Sequence, residues 1–371
     1  MIAIVHERLT EIAGSEHVTT QLAREWPDAP IHIPIVDRRV AAEFSDRVVT
    51  GALSQAYRYL GYRSYAPLLP FEPAWFRRCK FGSAEAVVIS HHAFAAAAVE
   101  AAGDRATIAY VHTPARWAWN AEMRDAEADS LPGRMALQAL SHLCISTELN
   151  AAKKLTTIVA NSNTVADRIR EHWNRETKVV HPPVDTEFFT PDPAEQVEDY
   201  FLLAGRLVPY KRPDIAVKAA AEAGVKLVVA GDGRGLEDCK KLAEGKDITF
   251  LGRVSNDELR SLQRRARACL MPGEEDFGIV PVEAMACGTP VIALAVGGVL
   301  DTVIDRVTGT LVAPTGDASV TNRFAEALAH FDRGALDSDA IRHHAEKFSR
   351  AAFRRKMADV VSETLAARRA S

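Results

Sequence analysis

Short apolar runs rich in β-branched residues alternate along the chain with stretches in which apolar side chains recur every three or four positions. The first pattern suits a buried strand and the second a helix. In the first half the short runs fall at residues 2–5, 86–90, 107–111, 157–160 and 178–180, with a helix beginning near Gly14. In the second half they fall at 200–204, 226–230, 248–251, 268–271, 291–293 and 309–312. Strands alternating with helices predict α/β architecture, parallel doubly wound sheets with helices on both faces. Between the two series, residues 181–198 read HPPVDTEFFTPDPAEQVE, where prolines and acidic side chains interrupt both periods. This predicts a domain boundary, with one Rossmann-like domain over residues 1–183 and a second over 196–348. The chain then closes with a polar helical segment whose last helix, after Phe348, has no packing partner fixed by periodicity alone.

Length agrees, because 371 residues exceed what a single core usually supports. With 47% apolar and 25% charged residues the composition is that of a globular protein. A net charge of -4 gives no support to nucleic-acid binding. The five cysteines are scattered, form no CxxC pair and read as reduced thiols. The opening MIAIVHERLTEIAG has no basic start and no small-residue cleavage site, so it is expected to be a first strand and no secretory signal. No window approaches the roughly 20 consecutive apolar residues of a spanning helix. A cytoplasmic protein is therefore expected, meeting the inner face of a membrane, if at all, from outside. Residues 57–81 mix aromatics with Arg58, Arg63, Arg77, Arg78 and Lys80, a composition that suits peripheral contact with an anionic membrane and equally a core helix with a basic face.

The densest chemistry lies in GEEDFGIVPVEAMACGTPVIA, from Gly273 to Ala293. Helical side chains tilt toward the N-terminus, so Glu283, about a turn inside a helix beginning near Gly278, reaches back toward the volume that Glu275 approaches from the preceding loop. Free N–H groups at that helix start attract phosphate, while the carboxylates suit sugar hydroxyls. A helix that merely carries acids in its first turns, as its dipole favours, is the plain alternative. Upstream, FLLAGRLVPYKRPDIAVKAA places Arg206 and Lys211 between a strand and a helix. In the first half, YVHTPARWAW sets His112 and Arg116 beyond a strand, at the carboxyl edge where doubly wound sheets bind ligands. SHHAFA ends another strand, and its His91 and His92 read either as structural or as facing a ligand.

Other patterns carry less. GDGRG, Gly231 to Gly235, follows the second strand of its series, where a dinucleotide fingerprint would follow the first. Asp337 and Asp339 spell a DxD but precede a late helix and read as N-caps. No His/Cys cluster has metal-ligand spacing, and no GxSxG turn is present. No cofactor is expected, and any activity is expected to be metal-independent.

Taken together, the Gly273–Ala293 run resembles the donor-site motif of the family-4 retaining glycosyltransferases, which have the GT-B architecture of two facing Rossmann-like domains around a cleft. The resemblance extends over most of the chain and implies that the last helix, 349–371, crosses back onto the first domain. It implies that Arg206 and Lys211 clamp the diphosphate of a nucleotide-sugar donor, that Glu275 holds sugar hydroxyls, and that Glu283 holds the ribose. Phe277, Gly278, Ile279 and Val280 complete the donor site, with Val254 near the base. The HTPAR stretch is similar to the YxHTPxR segment of bacterial GDP-mannose-dependent mannosyltransferases, which implies that His112 faces the donor sugar and that Arg116 stands close by. IAGSE sits where relatives carry paired glycines; Gly14 is retained and Ala13 replaces the other. The expectation is a metal-independent, retaining hexosyltransferase, with His112, Glu275, Arg206 and Lys211 as its catalytic group. Its expected donor is GDP-mannose and its acceptor a glycan or lipid-linked hydroxyl. The alternatives are a UDP-sugar donor, or an inactive nucleotide-sugar-binding protein.

Overall fold

The computed structural model describes residues 1–11, 14–37, 39–125, 130–314 and 317–370. The chain divides into two compact units, Met1–Pro183 with Phe353–Ser371, and Val184–Ala352. The first unit contains β1 (Ile2–His6), β2 (Arg8–Leu9), β3 (Ile31–His32), β4 (Ile35–Val36), β5 (Val48–Val49), β6 (Ala86–His91), β7 (Ala106–Val111), β8 (Thr157–Ala160) and β9 (Lys178–Val179). Seven of these form one sheet in the order β5-β3-β1-β6-β7-β8-β9, and every pairing is parallel. Parallel strands with helices on both faces are buried throughout, which is why β6 and β7 read as unbroken apolar runs with all six residues of each buried. One face packs under Phe94, Trp173 and the helix Leu131–Ala152. The other carries the helix Gly14–Glu25 and, from Phe353 onward, the helix Arg350–Ala370, whose Phe353, Met357 and Val361 join its core.

The second unit contains β10 (Phe201–Ala204), β11 (Leu227–Ala230), β12 (Ile248–Gly252), β13 (Cys269–Met271), β14 (Val291–Leu294) and β15 (Gly309–Val312). They form a wholly parallel sheet in the order β12-β11-β10-β13-β14-β15. In both sheets the first strand of the main series sits in the middle and the chain winds outward first to one side and then to the other. The loops leaving the two central strands therefore diverge and open a crevice at the carboxyl edge. That crevice lies between β1 and β6 in the first unit and between β10 and β13 in the second.

The eleven apolar runs read from the sequence are all strands, with ends shifted by at most one residue. The short strands β2 to β5 went unread, since two residues carry no period and Pro34 interrupts the IHIPIV stretch. Asp337 caps the helix Ser338–Ala345 by accepting the N–H groups of Asp339 and Ala340 at 2.9 and 3.3 Å, while Asp339 lies inside the first turn.

Candidate active site

In the second unit the loop after β10 carries Arg206 and Lys211, and the loop after β13 carries Glu275. The three line one pocket with Met271, Gly273 and Val280, at the crevice of that sheet. Lys211 Nζ lies 2.8 Å from Glu275 Oε1, and both side chains keep about a quarter of their surface in solvent. Arg206 is exposed, and among the described residues its guanidinium donates to the Tyr210 hydroxyl alone, at 3.5 Å. The site thus presents one exposed cation and one ammonium–carboxylate pair on a concave wall. Negative charge placed there meets two donors, and hydroxyls meet a carboxylate acceptor.

Two glycines let these loops approach. A Cβ on Gly273 would fall 2.5 Å from the Lys211 carbonyl carbon, so only glycine brings the Glu275 loop against the Lys211 backbone. Gly231, in the GDGRG stretch, lies against the Gly205 carbonyl oxygen, with an added Cβ only 1.9 Å away. The Gly235 N–H donates to the Leu207 oxygen at 2.8 Å. The glycine run therefore buttresses the loop that holds Arg206. Gly231→Ala is expected to cost about 1–3 kcal/mol of overpacking, a fall in Tm of about 2–4 °C per kcal/mol, and to weaken nucleotide binding with it. Unchanged melting and unchanged affinity would mean that the Arg206 loop does not depend on this contact.

The helix Ile279–Ala286 starts at Gly278, whose φ of 91° is left-handed. Its first N–H groups have no partner within the helix and face outward at its start. Val280 lines the pocket, whereas Phe277 is buried against Phe348 and Ile279 packs on the same core. Val254 lies against the cluster around Tyr200 and Leu202. The Gly298 N–H donates to the Glu275 oxygen at 2.8 Å, so the paired glycines of AVGGV brace the Glu275 loop. Glu283 is not among the residues that line this pocket. Burial, helped by the Asp185 carboxylate and opposed by Arg350, pushes it up to about 7. Arg350 itself pairs with Asp185 at 2.7 Å.

In the first unit, the crevice edge gathers histidines. His112, just past β7, receives its place from a backbone bond to the His91 oxygen at 2.9 Å. Its Nε2 lies 2.8 Å from Ser90 Oγ, and burial pulls it down to about 3, so it is neutral. His91 is structural. Its Nδ1 accepts the Ala96 N–H at 3.2 Å and its Nε2–H meets Glu148 at 3.1 Å. Glu148 also accepts the Ala115 N–H and the Trp119 indole. His92 is partly buried, and both of its ring nitrogens are enclosed without a hydrogen bond among the described residues. Gly14 opens the helix Gly14–Glu25, and Arg116 opens the short helix Arg116–Trp119; Ile12 and Ala13 lie outside the described residues. Ser90, His6 and Glu16, which adjoin His112, were not singled out in the sequence. Strand parity holds the signal, since Ser90 pairs in register with both His6 and Tyr110, and His112 follows Tyr110 by two.

Known proteins agree with this layout. The model for Glycosyltransferase Family 4 matches residues 12–188, and the model for Glycosyl transferases group 1 matches residues 185–336. D-inositol 3-phosphate glycosyltransferases of Mycobacterium tuberculosis and Mycobacterium bovis are 38% identical over 197 residues, a stretch covering 46% of this chain and 40% of theirs. The chain thus spans well under half the length of the curated relatives it matches. Among solved structures, HepE of Anabaena in complex with UDP aligns with a TM-score of 0.71 at 18% identity, covering 98% of this chain and 100% of that one. A sucrose-phosphate synthase of Thermosynechococcus elongatus aligns with a TM-score of 0.76 at 19% identity, covering 98% and 100%. Two sheets of the same winding, matched in turn by the two models over residues 12–188 and 185–336, show the GT-B fold, with a Glycosyltransferase Family 4 region followed by a Glycosyl transferases group 1 region.

Proposed function

We propose that this protein transfers a hexosyl group from a nucleoside diphosphate sugar to an acceptor hydroxyl with retention of anomeric configuration. The observation that carries the reading is the convergence of Arg206, Lys211 and Glu275 on one pocket at the crevice of the second sheet. In this reading Arg206 and Lys211 take the diphosphate, whose negative charge grows as the glycosidic bond breaks. The first N–H groups of the helix Ile279–Ala286 add partial positive charge beside it. Glu275 holds sugar hydroxyls, Glu283 the ribose, and His112 a hydroxyl of the transferred sugar. No carboxylate in these motifs stands as a covalent nucleophile, which favours attack on the face from which the diphosphate departs.

The HTPAR segment favours GDP-mannose as donor. UDP is the nucleotide bound by HepE, and inositol phosphate is the substrate named for the mycobacterial relatives. For the acceptor, exposed Tyr59 and Phe71 lie among Arg58, Arg78 and Lys80, a surface suited to an anionic membrane carrying a lipid-linked hydroxyl. Among the described residues no helix is long and apolar enough to cross one. Calorimetric titration with GDP, UDP and ADP, with and without chelator, tests the reading. Selective binding of GDP, insensitive to chelator, is expected. Selective UDP binding replaces the donor and keeps the reaction, whereas absence of any nucleotide binding overturns the function. Nucleotide binding without transfer from any donor leaves an inactive binding protein.

A further inference from the structure

In the first unit the carboxylate of Glu148, on the helix Leu131–Ala152, is fully buried. Four N–H groups among the described residues point at it. Oε1 accepts from the Ala115 backbone at 3.0 Å and from His91 Nε2 at 3.1 Å. Oε2 accepts from the Trp119 indole at 2.6 Å and from the Trp173 indole at 3.4 Å. A backbone amide and two indoles can only donate. The His91 ring is fixed by its other nitrogen, since Nδ1 accepts the Ala96 N–H at 3.2 Å and the ring proton therefore sits on Nε2. A carboxylate offers about four lone-pair sites, and these donors take all of them.

The donors are of two kinds. Ala115 and Trp119 belong to the segment that leaves β7 and carries His112 and Arg116, whereas His91 closes β6 and Trp173 closes the helix Asn163–Trp173. Each oxygen of Glu148 therefore ties one donor of the loop to one donor of the scaffold. The near end of the segment is held separately, where the His112 N–H donates to the His91 oxygen at 2.9 Å. A loop with one anchor swings about it. With an anchor at each end, His112 and Arg116 are placed before any ligand arrives, so binding spends nothing on ordering them.

We propose that Glu148 is a positioning residue, which fastens the segment from His112 to Trp119 to the scaffold of the first unit and so presents His112 to the transferred sugar. The inference rests on the reading of His112 as a sugar-facing residue and names what holds it there. Glu148→Gln is the informative change, because it keeps the shape and halves the accepting capacity. The amide oxygen accepts, but the NH2 group faces two further N–H donors and bonds to neither. Turned one way it releases Trp119 and Trp173, and turned the other way it releases Ala115 and His91. In both cases the loop loses one of its two bonds to this side chain.

The test is hydrogen exchange at the Ala115 amide and the Trp119 and Trp173 indoles, followed by NMR in the full chain, with Trp119→Phe and Trp173→Phe used to assign the indole signals. The native protein is expected to protect all three. In Glu148→Gln, either the Ala115 amide or the Trp119 indole is expected to exchange about tenfold faster, and kcat/KM with an intact sugar donor to fall about tenfold, the scale of one lost hydrogen bond. The Kd of the nucleoside diphosphate alone, which the proposed reading places on the second unit, stays unchanged. The two tryptophans, which donate to the same oxygen, separate position from stability. Trp119→Phe removes a loop bond and is expected to lower kcat/KM several-fold. Trp173→Phe removes a scaffold bond, keeps both loop bonds, and is expected to lower Tm without lowering kcat/KM. If Glu148→Gln does not fold, this pair carries the test. Equal kcat/KM in the two tryptophan variants, or Ala115 and Trp119 as well protected in Glu148→Gln as in the native protein, overturns the proposal. Exchange is read without turnover, so a protein that transfers no sugar overturns the reading of function and leaves the exchange result to decide whether Glu148 holds the loop.

Discussion

Lys211→Ala is expected to lower turnover by roughly 100-fold, the loss of about 3 kcal/mol that follows removal of a preorganised charge stabiliser. The ammonium stands in the pocket already aimed by its loop, 2.8 Å from Glu275 and backed by Gly273. Little reorganisation is needed as charge builds on the leaving diphosphate. The same change leaves the Glu275 carboxylate facing the diphosphate without a counter-charge, so affinity for nucleoside diphosphate falls as well. Steady-state kinetics with the donor identified by titration, together with calorimetry of the bare nucleotide, separate the two effects. Near-native turnover in Lys211→Ala would remove the clamp from the mechanism.

Glu275→Gln separates the sugar from the nucleotide. Without ligand, the carboxylate occupies Lys211, so part of the clamp is spent on an internal ion pair. Neutralising Glu275 releases Lys211 and takes a negative charge away from the diphosphate. Partly exposed pairs of this kind contribute up to about 1 kcal/mol, so nucleoside diphosphate is expected to bind a few-fold more tightly. Transfer is expected to fall by about 100-fold or more, because on the proposed reading Glu275 orients the sugar hydroxyls and has lost its charge. Tighter nucleotide and slower transfer in one variant is an unusual combination, and a purely structural role for Glu275 does not produce it. If nucleotide binding disappears instead, the roles assigned to Glu275 and Glu283 must be exchanged.

Much of this arrangement was legible in the linear chain. The alternation of short apolar runs and helical stretches reports burial on both faces of a parallel sheet, and that burial is a local property of each segment. It located eleven strands. Arg206, Lys211 and Glu275 were legible because each lies on a loop directly after a strand. Their neighbours were harder. Phe277 and Ile279 belong to the same motif, yet their side chains pack on the core around Phe348, since alternate positions along a loop and helix start face opposite ways. GDGRG, which lacks the context of a dinucleotide fingerprint, packs its backbone against Gly205 and Leu207, and a glycine needed for close backbone approach looks the same whether the approaching atom is a phosphate or a neighbouring carbonyl.

The first sheet shows the limit most clearly. His91 and His92 are adjacent in sequence and opposite in environment, the ring of one held by Ala96 and Glu148, the ring of the other without a hydrogen bond among the described residues. Nothing local distinguishes them. The Glu148 carboxylate gathers its donors from distant segments, His91 lying 57 positions away, and each alone is unremarkable in its own segment. The sequence by itself determined the elements, their order and the loops that carry charge, because hydrophobic period and turn residues act within a few positions. Which strands became neighbours, which nitrogen meets which oxygen, and that Lys211 meets Glu275 were decided only by tertiary structure, since strand register and hydrogen-bond geometry are set by partners distant in the chain.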